Sequence, residues 1–268
     1  MKNLFQIRRA VSRRARIVAG AGAFVALGAV WTLAVLAHWA SPIFLPSPWQ
    51  VAQTAWDLYA HGGMVRDVGV SVYRVLTGFV IASAIAVPLG LMMGTLTIVR
   101  AAFEPMLAFV RYMPATAFIP LLVLWLGIGD AQKFAVVYLG TFFHLALLVT
   151  VSVQNVPLAL IESAQMLGGR RRQIVVRVIW AAARPHILDN VRIVLGWAWT
   201  YIVVAEIVAA DSGVGYQILK ASRFLDVSTI FVGIVSIGAV GIVSDQILLA
   251  ASRLLFPYLQ PLREGAPA

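Results

Sequence analysis

The chain has 268 residues, 61% of them hydrophobic and 12% charged, with a mean hydropathy of +0.88; soluble domains carry about 25% charge, so the composition reads as a polytopic membrane protein. The net charge of +10 does not mark a nucleic-acid binder, because the basic residues fall in short loops between apolar runs, not along a groove or stripe. With no Cys, four scattered His lacking metal-ligand spacing, and no Gly-Lys pair anywhere, no catalytic or metal site is expected and the chain cannot be its own P-loop ATPase.

Residues 1–16 carry Lys2, Arg8, Arg9, Arg13, Arg14 and Arg16, and Ile17 to Ala37 is then continuously apolar. A run of about 20 residues is long enough to cross a hydrocarbon core of ~30 Å. It is too long for a signal-peptide core and no clear small-x-small site follows, so it reads as an uncleaved first span with the N-terminus inside. Ser41 to Val68 is expected outside. Ser47-Pro48 supplies an N-cap and a proline at the first helical position, and Trp49, Ala52, Trp56 and Tyr59 then share one face. That stripe places a helix either on the outer membrane interface or against the spans.

Val68 to Ile98 reads as the second span, with Gly90 and Gly94 forming a Gly-x-x-x-Gly that permits close helix approach. Arg100 sits in a short inner loop. The third span opens at Glu104-Pro105 and runs to Gly127. Gly127 to Lys133 turns outside, and Phe134 to Val156 is the fourth span. After a polar inner loop, Pro185 to Ala209 is the fifth span. Asp211 to Asp226 is an outer loop with a turn of helix, and Val227 to Leu255 is the sixth span, followed by a cytoplasmic tail. The fold class is therefore all-α, with three parts: residues 1–67 (basic tail, first span, interfacial helix), a five-span core at 68–257 with its inner loop at 157–184, and a tail at 258–268. Fourteen of the 21 Lys and Arg fall inside and four outside (Arg66, Lys133, Lys220, Arg223), leaving Arg74, Arg111 and Arg192 in the spans. Six spans with both termini cytoplasmic is the orientation that obeys the positive-inside rule.

The inner loop is a polar, basic stretch between two spans, running from Glu162 to Arg184. Glu162 to Leu167 are mostly good helix formers, with the acidic residue expected in the first turn, where it suits the helix dipole. Gly168-Gly169 stops that helix, and a second helical run is expected from Arg170 to Ala183. The shape is a helix, a glycine turn and a helix, a knob for a soluble partner; the plainer alternative is an ordinary basic inner loop.

The spacing resembles the signature loop of ATP-binding-cassette importer permeases, Glu-Ala-Ala-x-x-x-Gly followed further on by Ile-x-Leu-Pro. Glu162, Ser163, Ala164 and Gly168 match, with Ser in place of the first Ala; Ile179 matches, Trp180-Ala181 replaces Leu-Pro, and Pro185 survives. Further marks look like the nitrate/sulfonate/taurine group of these permeases: Leu45-Pro46-Ser47-Pro48, Ser71-Val-Tyr-Arg74 with Gly78, Arg111-Tyr-Met-Pro114 with Phe118 and Pro120, Trp125 to Asp130, Arg192 to Trp199, and Ala205-Glu206 with Ser212-Gly-Val-Gly215. The resemblance implies a type I importer permease of the bacterial inner membrane. It implies a homodimer of this chain, two ATPase subunits that bind the ATP and Mg, and an extracytoplasmic binding protein, with no cofactor on this chain. It also implies ATPase coupling through Glu162, Ser163, Ala164, Leu167, Gly168 and Gly169. The implied cargo is a small anion, an organic sulfonate such as taurine or a similar organic acid first, nitrate or bicarbonate next. An intramembrane enzyme would need a carboxylate pair or His/Ser site that the spans do not show. An ion-driven secondary transporter would show repeated broken spans.

Arg74, Arg111, Arg192 and Glu206 each cost roughly 2.5–3.5 kcal/mol at the centre of a span, so they need partners or water. Arg74 and Glu206 both fall near the outer ends of their spans and are expected to pair, or else to snorkel to the outer headgroups. Arg192 lies near Asp189. Arg111 lies toward the inner end of the third span and is expected either to meet an anionic substrate or to pair with Glu104 or Asp189. His144 is a weaker candidate for the substrate path, with hydrogen-bonded packing as the alternative, and Trp197 and Trp199 are candidates to line the cavity, with lipid or dimer contact as the alternative.

Overall fold

The structure, a computed structural model, describes residues 12–41 and 43–259; the expected basic segment before Ser12 and the tail after Leu259 lie outside the described residues. Among these residues the regular elements are all helical. The first span is α1 (Arg13–Leu36), exposed along its length, as a helix facing lipid must be. It meets the rest through Trp31, which stacks on Phe231 with ring centroids 5.1 Å apart and donates to the Pro46 carbonyl at 3.1 Å.

The outer helix α2 (Pro48–Ala60) begins in a capping box, with Ser47 Oγ accepting from Gln50 N at 3.2 Å. Val51, Ala55 and Leu58 pack toward Val214, Phe231 and Val232, while Trp49 and Trp56 point outward and exposed. The packing alternative holds on the Val51, Ala55 and Leu58 face of this helix.

The centre of the bundle is a seam between α3 (Met64–Thr95) and α6 (Asp130–Gln154). Three glycines of α3 sit on it. A Cβ at Gly78 would lie 2.8 Å from the Phe134 carbonyl, one at Gly90 2.6 Å from that of Ala146, and one at Gly94 2.5 Å from Val153 Cβ. Contacts closer than van der Waals distance leave room only for glycine. Along the seam both residue numbers rise together, so the two helices run parallel. Parallel neighbours require the intervening chain to return across the whole membrane. That segment is therefore a crossing, although it is not one straight helix.

This return crossing is α4 (Thr97–Val110) and α5 (Ile119–Leu126), bent by 81° at a break that includes Tyr112 to Pro114. The sequence reading needs correction here. Glu104-Pro105 does not open the span, because α4 already begins at Thr97 and carries Pro105 inside it. Among the described residues five helices are long and apolar enough to cross a membrane, and the bent pair, taken as one span, makes six.

The other crossings are α8 (Arg171–Ala209) and α10 (Val227–Leu255), with the short outer helix α9 (Val214–Arg223) between them. The expected division near Ala183 is absent. One helix of 39 residues runs from the inner loop through the fifth span, with Pro185 buried inside it and a π-helical stretch at Ile174–Ile179. Transmembrane helices tolerate an interior proline where neighbours compensate the freed backbone.

Candidate functional site

The outer end of the bundle holds a buried polar cluster. Asp67, Ser71 and Arg74 recur at helical spacing on one face of α3, and all three are buried. Arg74 Nη1 donates to Glu206 Oε1 at 2.9 Å, and Nε donates to Asp130 Oδ1 at 2.7 Å. The same guanidinium donates to the Ser212 carbonyl at 2.7 Å and to its hydroxyl at 3.1 Å. Glu206, fully buried on α8, also accepts from Ser71 Oγ and from Gly215 N, each at 2.9 Å. Val214 N donates to Ser71 Oγ at 3.0 Å and Gly213 N to Asp67 Oδ1 at 2.8 Å. These amides begin α9, and a helix start attracts negative charge. Gly213 has φ +104°, and a Cβ there would meet the Glu206 carboxylate. Beside the cluster the exposed Asp211 accepts from the Ser212 hydroxyl at 3.1 Å, which holds its carboxyl below the usual range.

Sequence reasoning singled out Arg74 and Glu206 because each is costly alone in a span. It missed Asp130, assigned to an outer turn, and Lys133, counted as outside. Lys133 is fully buried, donating to the Gly129 carbonyl at 3.0 Å.

A second feature lies at the α4–α5 break. A cavity of about 570 Å³ is lined by Arg111, Phe118, Phe143, His144 and Tyr201, among others. Arg111 pairs with neither Glu104 nor Asp189. Glu104 takes Arg100 at 2.8 Å, and the polar contact of Arg111 is the Tyr112 hydroxyl at 3.0 Å, with its guanidinium 4.9 Å from that ring. His144 meets the edge of Trp197, ring centroids 5.1 Å apart. Trp199 is buried in the core on another side of α8, near Gly241, so it does not line this cavity. Tyr201 does, and it closes on Gly140 of α6. Nothing in its apolar surroundings distinguished Tyr201 in the sequence. Arg192 makes its shorter bonds to Asp245 of α10, 2.9 Å at the closest, and a longer one of 3.4 Å to Asp189.

The third feature is the inner loop. Its first helix, α7, is Leu158–Met166. Glu162 therefore stands mid-helix, not in the first turn as the sequence suggested. Ile161 and Ala164 pack on the core, while Glu162 and Ser163 are exposed. The helix ends in a Schellman motif: Gly169 N donates to the Ala164 carbonyl and Gly168 N to that of Gln165, both at 2.9 Å, with Gly168 at φ +75°. At the tip Met166 and Leu167 are 88% and 89% exposed.

Comparison with known proteins identifies the family. Residues 86–257 match the family described as binding-protein-dependent transport system inner membrane component. A probable ABC transporter permease protein of Brucella melitensis is 41% identical over 213 residues, covering 80% of this chain and 87% of its own length. The taurine transport system permease protein TauC of Escherichia coli (strain K12) is 33% identical over 233 residues, 85% of this chain and 84% of that one. The nitrate import permease protein NrtB of Synechocystis is 26% identical over 222 residues, covering 80% and 81%. Among solved structures, an inward-facing conformation of the MetNI methionine ABC transporter superposes with a TM-score of 0.60 at 18% identity, over 71% of this chain and 98% of that one; this is a likeness of fold.

Proposed function

The chain belongs to the binding-protein-dependent transport system inner membrane component family, and on that premise we propose that it carries a small organic anion inward, driven by a separate ATPase that grips α7. The settled part is coarser: it is an ABC importer permease of the taurine, sulfonate and nitrate type, a transport subunit of the bacterial inner membrane and not an enzyme.

The observation that carries the coupling reading is the tip of α7. Two large apolar side chains, Met166 and Leu167, stand almost fully in water on the cytoplasmic side. Exposed apolar groups clustered on a structured knob mark a surface that a partner covers. Glu162, Ser163, Ala164, Leu167, Gly168 and Gly169 would form the contact, and the continuous α8 would carry motion from the knob into the membrane. ATP and Mg belong to the ATPase. Two copies of this chain and an external binding protein complete the assembly.

The cavity supports an organic cargo. Its volume is in the range of small-molecule sites, one wall is cationic at Arg111, and Val110, Met113, Phe118 and Phe143 supply apolar lining. A sulfonate or carboxylate on a short carbon chain satisfies both parts, whereas nitrate has no apolar part to bury. His144, with Trp197 against its edge, completes the path.

The test is uptake in liposomes containing this chain, its ATPase and its binding protein. ATP-dependent uptake of an alkanesulfonate or taurine is expected, with Glu162→Lys abolishing it while membrane insertion stays normal. Uptake at full rate without the ATPase, or normal uptake in the variant, would overturn the coupling reading; uptake of nitrate alone would overturn the cargo.

A further inference from the structure

Gln132, in the first turn of α6, is fully buried, yet neither its amide nitrogen nor its amide oxygen has a hydrogen-bond partner. Each buried polar group left unmade costs about 1–3 kcal/mol, and an apolar side chain of similar size would avoid that cost. The neighbouring Lys133 does not have this problem. Its ammonium is bonded to the Gly129 carbonyl and lies in electrostatic reach of Asp130, Asp211 and Glu206. The neutral amide is the group left without an answer.

Register shows what Gln132 faces. Ala135, Val136 and Leu139 follow it at helical spacing, and they pack with Ile119, Leu122 and Val123 on the α5 side and Tyr201 and Ala205 on α8. Further along the same stripe, Leu139, Gly140, Phe143 and His144 line the Arg111 cavity. Gln132 thus continues the cavity wall toward the outer surface, about 18 Å from His144 along the helix axis. The two polar side chains, Gln132 and His144, stand at the ends of this stretch of α6, His144 in the cavity wall.

Between them the stripe is covered by α5. This helix has eight residues; with the 3₁₀ turn Ala115–Phe118 before it, it forms one arm bounded by the 81° break on one side and by Gly127 (φ +75°) on the other. It holds the stripe with Ile119 and Leu122, both buried, while Leu124 and Trp125 face away and exposed.

We propose that Gln132 is a substrate contact of the outward-open state. The α5 half-span swings off the α6 stripe, and the Gln132 amide N–H then donates to an oxygen of the cargo's anionic group on its way from the outer mouth to Arg111. The bonds missing in the covered state are made in the open one, so the unsatisfied amide favours opening. The inference rests on the importer reading above and names one contact along its path.

Because the chain has no cysteine, Gln132→Cys carries its only thiol. In the complete transporter, a membrane-impermeant maleimide added outside should label this variant when the complex is held with binding protein and a non-hydrolysable ATP analogue, and not without nucleotide. No labelling in the held state, or equal labelling in both, overturns the proposal. Gln132→Leu provides the second measurement. Its melting temperature should equal or exceed that of the parent, while uptake at saturating binding protein falls about tenfold, the loss of one hydrogen bond to a charged group. A lower melting temperature would mean a buried partner such as water and a purely structural glutamine; unchanged uptake would remove the contact. If the unmodified transporter shows no ATP-driven uptake, the importer reading itself falls and this one with it; if it does and only the Gln132 variants are silent, this inference alone is lost.

Discussion

At the outer end of the bundle Asp67, Ser71, Arg74 and Glu206 are buried and bonded to one another and to the first amides of α9. At the inner end Glu162, Ser163, Met166 and Leu167 are exposed on a short helix that only its glycine cap and a narrow apolar face hold in place. The first region meets its own needs and behaves as an anchor. The second leaves apolar surface uncovered, Met166 and Leu167 above all. Under the coupling reading proposed above, the buried end keeps four helices in register and the exposed end receives the ATPase.

Substitutions can break this contrast. The largest effect is expected at the anchor. Glu206→Ala leaves Arg74 with Asp130 and Ser212 but takes the buried carboxylate from Arg74, Ser71 and the Gly215 amide, and removing one member of a buried ion pair costs about 3–5 kcal/mol; thermal unfolding of the purified chain should show it. Adding Arg74→Ala should cost less than the sum of the two single changes, and simple additivity would count against one shared network. At the other end Leu167→Asp should lower affinity for the ATPase by roughly thirtyfold, the effect of losing a contact worth about 2 kcal/mol, with the melting temperature nearly unmoved. A large loss of stability there would erase the distinction between the two ends.

Two smaller effects sharpen it. Gly90→Ala forces a methyl against the Ala146 carbonyl on the α3–α6 seam, and overpacking of this kind costs about 1–3 kcal/mol. Asp245→Ala removes the shorter partner of Arg192. Both side chains are partly open, 19% and 40% exposed, so a loss below about 1 kcal/mol is expected by the same unfolding measurement. A loss as large as that of Glu206→Ala would make the Arg192 pair a second anchor.

Much of this was legible before the fold. Arg74 and Glu206 could be matched because a charge in a span demands an answer and both lie at similar depth. The glycine stop at Gly168 was legible because a left-handed residue at a helix end is most cheaply a glycine. Asp245 was not legible as the partner of Arg192, since Asp189, three residues away, satisfied the same local rule. Nor was the continuity of α8 through Pro185, because a proline that would end a helix in water can be absorbed among packed helices. For Trp199 the sequence leaves the cavity, lipid and a dimer contact open, and the rotation of α8 puts it in the core.

The amino-acid sequence alone determined six apolar crossings, their orientation and a polar, basic inner loop with a glycine stop. Each follows from a property counted over nearby residues, the length of an apolar run or the side on which Lys and Arg collect, and the bilayer enforces it locally. Only the tertiary structure decided which carboxylate answers which arginine, where the third crossing breaks, and that α5 covers the stripe bearing Gln132. Those depend on distances between helices far apart in the chain, which are set by how glycines and side chains interlock across the bundle.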